Sequence, residues 1–180
     1  MMKPLILTAL LLSLTTPGLA LELSSPELTQ GQPMNKAQEF NSFGCDGGNL
    51  SPALHWSKAP EGTQSFALTV YDPDAPTGSG WWHWVVYDIP ASATDLPAGA
   101  VAKNPLPPGT KQGRNDFGGR DFGGACPPKG HGVHHYTYKL FALKVKQLPV
   151  DENASSALVG YMLNANQIDS AQITATYRRD

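Results

Sequence analysis

Between Phe66 and Ile89 the chain carries two apolar runs separated by the stretch Tyr71–Trp84, YDPDAPTGSGWWHW, and a chain built this way has to reverse direction there. In the first run Phe66, Leu68 and Val70 fall on one face and Ala67, Thr69 and Tyr71 on the other, the period of a strand. Pro73 lacks an amide donor and biases Asp72 towards extended backbone, so the carboxylate leaves the strand end in a restricted direction. Pro76 stiffens the turn, and Gly78 and Gly80 supply the freedom for the return into Trp84–Ile89. Asp72 and His83 are therefore expected at adjoining ends of two neighbouring strands, the first central in its sheet.

A second strand signal, HHYTYKLFALKV, runs from His134 to Val145. Its alternation puts His134, Tyr136, Tyr138 and Leu140 on one face and His135, Thr137, Lys139 and Phe141 on the other, so only one of the adjacent histidines can enter a given pocket. Ala53–Trp56 and Gln172–Tyr177 read as shorter strands. Asn153–Asn164 reads as a helix capped by Asp151 or Asn153, with Ala154, Ala157, Leu158, Tyr161 and Met162 at helical spacing. Gly160 inside it costs about 1 kcal/mol relative to Ala, which implies close packing against a sheet. Asn41–Pro52 is loop, and Pro90–Gly113 with Arg114–Gly124 is a long connection with little regular structure. The expected fold is mostly β, a two-sheet sandwich-like core with long loops and one late helix, in a single domain over residues 21–180.

Residues 1–20, MMKPLILTALLLSLTTPGLA, have a lysine near the start, a short apolar middle and small residues at Gly18 and Ala20, the pattern of a secretory signal peptide cut after Ala20. The apolar middle is shorter than the ~20 residues that span a bilayer. The expected product is exported, periplasmic or secreted, and not an integral membrane protein. Taking Lys3 from thirteen basic side chains leaves twelve against fifteen acidic ones, and the basic residues are scattered. That charge pattern excludes a nucleic-acid footprint. In an oxidising compartment the only two cysteines, Cys45 and Cys126, are expected to pair.

The stretch Gly123–Tyr136, GGACPPKGHGVHHY, supplies the other half of a candidate pocket. Glycine-rich turns at strand ends can present converging amides to an anion, here from Gly124, Ala125 and Cys126. His83 and His134 add donors that gain charge in the histidine range, and Asp72 can accept from an imidazole and favour its charged form. Trp81, Trp82, Trp84 and Asp74 are expected around the pocket; His55 and His131 read as structural. The glycines before Ala125 have no Gly-Lys-Ser/Thr ending, so no nucleotide phosphate loop is present.

Asp72-Pro73-Asp74-Ala75-Pro76, His83, and Cys126-Pro127-Pro128-Lys129-Gly130 followed by His134 and Tyr136 together resemble the paired signature of the phosphatidylethanolamine-binding protein family, in its bacterial Raf-kinase-inhibitor-like branch. The resemblance runs from about Cys45 to Tyr177. It implies a β-sandwich-like core with a small anion pocket at one end, formed by Asp72, Pro76, His83, Ala125, Cys126, His134 and Tyr136. Two departures stand out: the family's usual His-Arg-Tyr is His134-His135-Tyr136 here, and Cys126 stands where many eukaryotic members have glycine. Family members are ligand-binding and regulatory proteins, some of them inhibitors of kinases or serine proteases, and an exported member would not meet a cytosolic kinase.

These readings lead to an exported binding or regulatory protein, not an enzyme, taking a small phosphorylated or anionic ligand such as a phospholipid head group, with no cofactor and no metal. The alternative is an inhibitor of a protein target acting through surface loops. A hydrolase or metal centre on Asp72, His83 and His134 is the third reading, but no His-Glu-x-x-His helix, nucleophile elbow or cysteine cluster accompanies it.

Overall fold

The computed structural model describes residues 20–180. The leader expected over residues 1–20 lies outside the described residues except for Ala20. In chain order the strands are β1 (Glu22–Ser24), β2 (Leu54–Ser57), β3 (Ser65–Asp72), β4 (Trp81–Pro90), β5 (Asp95–Leu96), β6 (Lys111–Gln112), β7 (His134–Leu143) and β8 (Gln167–Tyr177), with helix α1 (Ser156–Asn166) between the last two. They form a three-stranded sheet, β1-β2-β5, and a five-stranded sheet, β6-β4-β3-β7-β8, with every pairing antiparallel. The fold is mostly β with one late helix, as the sequence periodicity indicated.

β3 lies between β4 and β7, the central place its alternation requires. Both of its faces are covered. Phe66, Leu68 and Val70 join Leu54, Trp56, Trp84, Val86, Tyr136 and Tyr138 in the core between the sheets. Ala67 on the opposite face packs with Val85, Tyr87, Phe141 and Leu143 beneath Val159 and Leu163 of α1. Burial of this apolar surface, worth roughly 25 cal/mol per Å², is the main force holding the layers together.

Two elements differ from their sequence reading. The helix starts at Ser156 and takes Ser155 as its cap, whose side chain accepts from the Leu158 amide, and not Asp151 or Asn153. The buried stripe is Ser156, Val159 and Leu163, which face the large sheet, and Leu158 and Tyr161 are exposed. Asp151 instead accepts from the Asn153 amide in the preceding turn. The strand read from Gln172 begins at Gln167, directly after the helix. Gly160 does pack closely: a Cβ there would lie 3.1 Å from the Trp82 ring.

β4 also starts earlier than expected, at Trp81, and it is irregular where function is expected. Tyr71 pairs with Trp82 and Val70 with Trp84, so His83 has no partner on β3 and forms a β-bulge. Bulges re-aim side chains at sheet edges. Here Trp82 turns towards the helix side while Trp84 turns into the core between the sheets.

Candidate ligand-binding site

At the end of the large sheet where β3 stops and β7 starts, a cavity of about 370 Å³ is lined by Asp72, Pro76, Trp81, His83, Phe117, Cys126, His134, Tyr136 and Arg179, with Phe43 beside them. Asp72 is the last residue of β3 and is buried. One of its carboxylate oxygens accepts the Asp74 amide at 2.8 Å, the turn that Pro73 favours, and the other lies 2.7 Å from His134 Nδ1. A carboxylate only accepts, so Nδ1 carries the proton and Nε2 is the nitrogen left for other partners.

His134, the first residue of β7, is 1% exposed. Its Nε2 lies 2.7 Å from Nδ1 of His131. His131, read from sequence as structural, is therefore joined directly to the site. The signal was its place three residues before His134 in a glycine-flanked loop, which composition alone does not distinguish from a surface histidine.

His83 sits on the bulge, edge-on to Phe117 and Tyr136 at ring-centroid distances of 5.3 and 5.0 Å. Its Nδ1 donates to the carbonyls of Gly123 and Gly124 at 2.8 and 3.1 Å. Burial pushes its pKa below the ordinary imidazole value and outweighs the opposing pull of the Gly123 carbonyl and the Asp72 charge. The expected cation at His83 is thus a neutral ring with Nε2 as an acceptor. Burial, followed by the Asp72 charge, pushes the Tyr136 phenol upward, so it stays a protonated donor. Tyr136 Oη and Trp81 Nε1 are buried and lack a hydrogen-bond partner.

The turn before Cys126 does not offer its amides as expected. The Gly124 amide donates to Asn49 Oδ1 at 2.8 Å and the Ala125 amide to the Gln38 carbonyl at 3.0 Å. Ala125 is buried and bridges to Glu39, outside the cavity lining. The Ala125 amide thus holds the turn against the Gln38–Phe40 segment and the Gly124 amide holds it to Asn49, which takes two of the three expected donors. What this achieves is placement of Cys126, Pro127 and Pro128 as one wall. Cys126 is joined to Cys45, with Cα atoms 6.0 Å apart, which brings the Phe43 segment to the rim.

Of the other expected wall residues only Trp81 lines the cavity. Trp84 is fully buried in the core and donates to Gln112 Oε1 at 2.7 Å. Trp82 packs tilted against Tyr71, ring centroids 4.7 Å apart, on the helix side. Asp74 faces outward and holds the His135 amide and ring at 2.8 and 2.7 Å. Alternation itself puts Trp81 and Trp82 on opposite faces, and the bulge at His83 then parts Trp84 from Trp82, which a regular strand would leave on one face.

Sequence reading missed Phe117, Phe43 and Arg179. The segment before Gly124 runs along β4, with the Asp116 amide on the Trp82 carbonyl and the Gly123 amide on that of His83, both at 2.9 Å, and this delivers Phe117 to the cavity. Arg179 comes from the C-terminal tail; its guanidinium donates to the carbonyls of Pro127, at 3.3 Å, and Gly44. It is the one cation among the cavity-lining residues whose charge does not depend on a histidine.

Among the described residues no group of three histidine, cysteine, aspartate or glutamate side chains is arranged to hold a metal. Asp72 and His134 are turned towards each other at hydrogen-bond distance, and the His83 Nδ1 towards backbone carbonyls. No described helix is long and apolar enough to cross a membrane.

A sequence profile for the family described as phosphatidylethanolamine-binding protein matches residues 24–178. The chain is 55% identical to the UPF0098 protein YbcL of Escherichia coli over 180 residues, covering 98% of both chains. It is 45% identical to the UPF0098 protein YbhB of the same organism, over 87% of this chain and 99% of that one. The crystal structure of E. coli YbcL, described as a new member of the mammalian PEBP family, superposes with a TM-score of 0.86 at 56% identity, covering 90% of this chain and 100% of that one.

Proposed function

Because the chain belongs to the phosphatidylethanolamine-binding protein family, we propose that it is an exported binding protein whose cavity takes a small oxyanion, the phosphate of a free metabolite or of a phospholipid head group. The observation that carries this reading is the pair of buried donors without partners, Trp81 Nε1 and Tyr136 Oη, on residues lining the same cavity as Arg179. An unpaired buried polar group costs about 1–3 kcal/mol, and ligand oxygens would relieve it. Asp72 does not oppose an anion as a bare carboxylate would, since one oxygen meets the His134 ring and the other the Asp74 amide.

Phe43, Phe117, Trp81 and the prolines make the rest of the wall apolar, which suits a ligand carrying a carbon skeleton beside its charged group. Export rests on the leader pattern at residues 1–20 and is supported by the Cys45–Cys126 bridge, because such bonds persist in oxidising compartments.

The test is calorimetric titration with inorganic phosphate and with glycerophosphoethanolamine, on the native protein and on Tyr136→Phe. Removing one donor to an anion should weaken both ligands by roughly tenfold. A stronger interaction with the glycerol ester identifies the lipid head group as the source; equal interaction identifies phosphate alone. Unchanged binding in Tyr136→Phe would sink the assignment of that hydroxyl.

A further inference from the structure

Ser42, Phe43, Gly44 and Cys45 form a tight turn, closed by the Cys45 amide on the Ser42 carbonyl at 3.0 Å. Both central residues have positive φ, +56° at Phe43 and +78° at Gly44. Turns of that kind are dominated by glycine, asparagine and aspartate, and a bulky residue with positive φ is a steric outlier. Burial does not explain its presence, since Phe43 is 69% exposed. Three ties hold the turn in place: its own hydrogen bond, the Cys45–Cys126 bridge, and the Arg179 guanidinium on the Gly44 carbonyl. Backbone strain of this sort persists where the surroundings over-determine the chain, and it gathers at ligand clamps.

The ring stands at one end of an aromatic track. Trp81, whose buried Nε1 lacks a partner, meets Phe117 edge-on with centroids 5.3 Å apart, and Phe117 meets Phe43 edge-on at 5.6 Å. All three residues line the same cavity, and its volume of about 370 Å³ falls in the range of pockets that hold small organic molecules. We infer that Phe43 is a specificity-determining clamp, which covers the apolar group of a phosphate monoester whose charged end meets the Trp81 and Tyr136 donors. An ester held at those donors has its carbon chain led along Phe117 to Phe43, and contact there takes exposed aromatic surface out of water. The turn is fixed before the ligand arrives, so the clamp adds no ordering cost to binding. The ligand class that follows is a phosphate ester of an apolar alcohol, selected over inorganic phosphate and over esters whose polar carbon skeleton would lose water against the rings.

The clamp rests on the reading of the cavity as an anion site, and the experiment keeps the two apart. Methyl phosphate and n-hexyl phosphate, which carry the same charge, are titrated calorimetrically into the native protein and into Phe43→Asn. Asparagine suits positive φ, so the variant keeps the turn and loses the apolar ring. The native protein should bind the hexyl ester roughly tenfold more tightly than the methyl ester, the worth of covering about two methylenes. Phe43→Asn should bind the hexyl ester roughly three- to tenfold more weakly than the native protein does and the methyl ester equally well, which also shows that the variant is folded at the anion end. A hexyl preference unchanged in the variant, or absent from the native protein, overturns the clamp and leaves the anion site standing. An equal loss of both esters in the variant also overturns it, because the ring would then act on the anion end alone. No binding of either ester by the native protein overturns the anion site and the clamp together.

Discussion

Gly124 lies so close to Gln38 that a Cβ on it would sit 2.4 Å from the Gln38 carbonyl oxygen and 2.6 Å from the Phe40 nitrogen. Those are backbone atoms held by their own hydrogen bonds, so neither can step aside. Gly124→Ala should therefore push the Gly123–Cys126 turn away from the Gln38–Phe40 segment, at a cost of about 1–3 kcal/mol or more. Urea unfolding measures it, and a variant as stable as the native protein would show that the turn has slack.

Asp72→Ala should leave the His134 Nδ1 proton buried without an acceptor, and it also removes the acceptor for the Asp74 amide. The expected loss is about 1–3 kcal/mol for the stranded donor. Asp72→Asn, which keeps an acceptor oxygen of the same shape, should recover part of it. Thermal unfolding of both variants checks the ordering, and equal losses would argue against the hydrogen bond as the cause.

His83 sets an acid limit on stability. Its folded pKa lies below the unfolded value of 6.5, so the unfolded state binds the extra proton. The contribution is fully present above that unfolded value and is lost as the pH falls towards the folded one. His83→Asn keeps a side-chain donor for the Gly123 carbonyl but does not titrate, so its stability should fall less steeply below about pH 6.5. Denaturant midpoints across that window provide the comparison, and parallel curves would contradict the assignment.

The Cys45–Cys126 bridge spans 81 residues of sequence. Opening it, by reductant or by the Cys45→Ser, Cys126→Ser double variant, should lower stability by about 4 kcal/mol through the gain in unfolded-chain freedom. Chemical denaturation with and without reductant measures this. A loss near zero would mean that the unfolded chain keeps the two segments together by other contacts.

Much of the architecture was legible because it depends on short-range periodicity. The alternation in Phe66–Tyr71 and His134–Phe141 gave two strands of the large sheet correctly, and it put His134 and Tyr136 on one face and His135 on the other. Asp72 and His83 were identifiable as neighbours because proline and glycine placed them at adjoining strand ends, and His134 joined them through the resemblance of its stretch to the family's second motif. The helix was less legible. Its apolar residues fit the period, but packing of Val159 and Leu163 against Ala67, Val85 and Phe141 of the large sheet decided which stripe turned inward.

Amino-acid order alone thus determined the strands, the reversal at Tyr71–Trp84 and the residue types available to a pocket, since these follow from side-chain alternation and from the backbone limits of proline and glycine. Tertiary structure decided which of those residues meet. The bulge at His83 comes from the register between two strands, the joining of His131 to His134 from a loop folding back on a strand end, and Arg179 from a tail reaching the disulfide-tied rim. Each depends on contacts between segments distant along the chain, and no local pattern encodes their geometry.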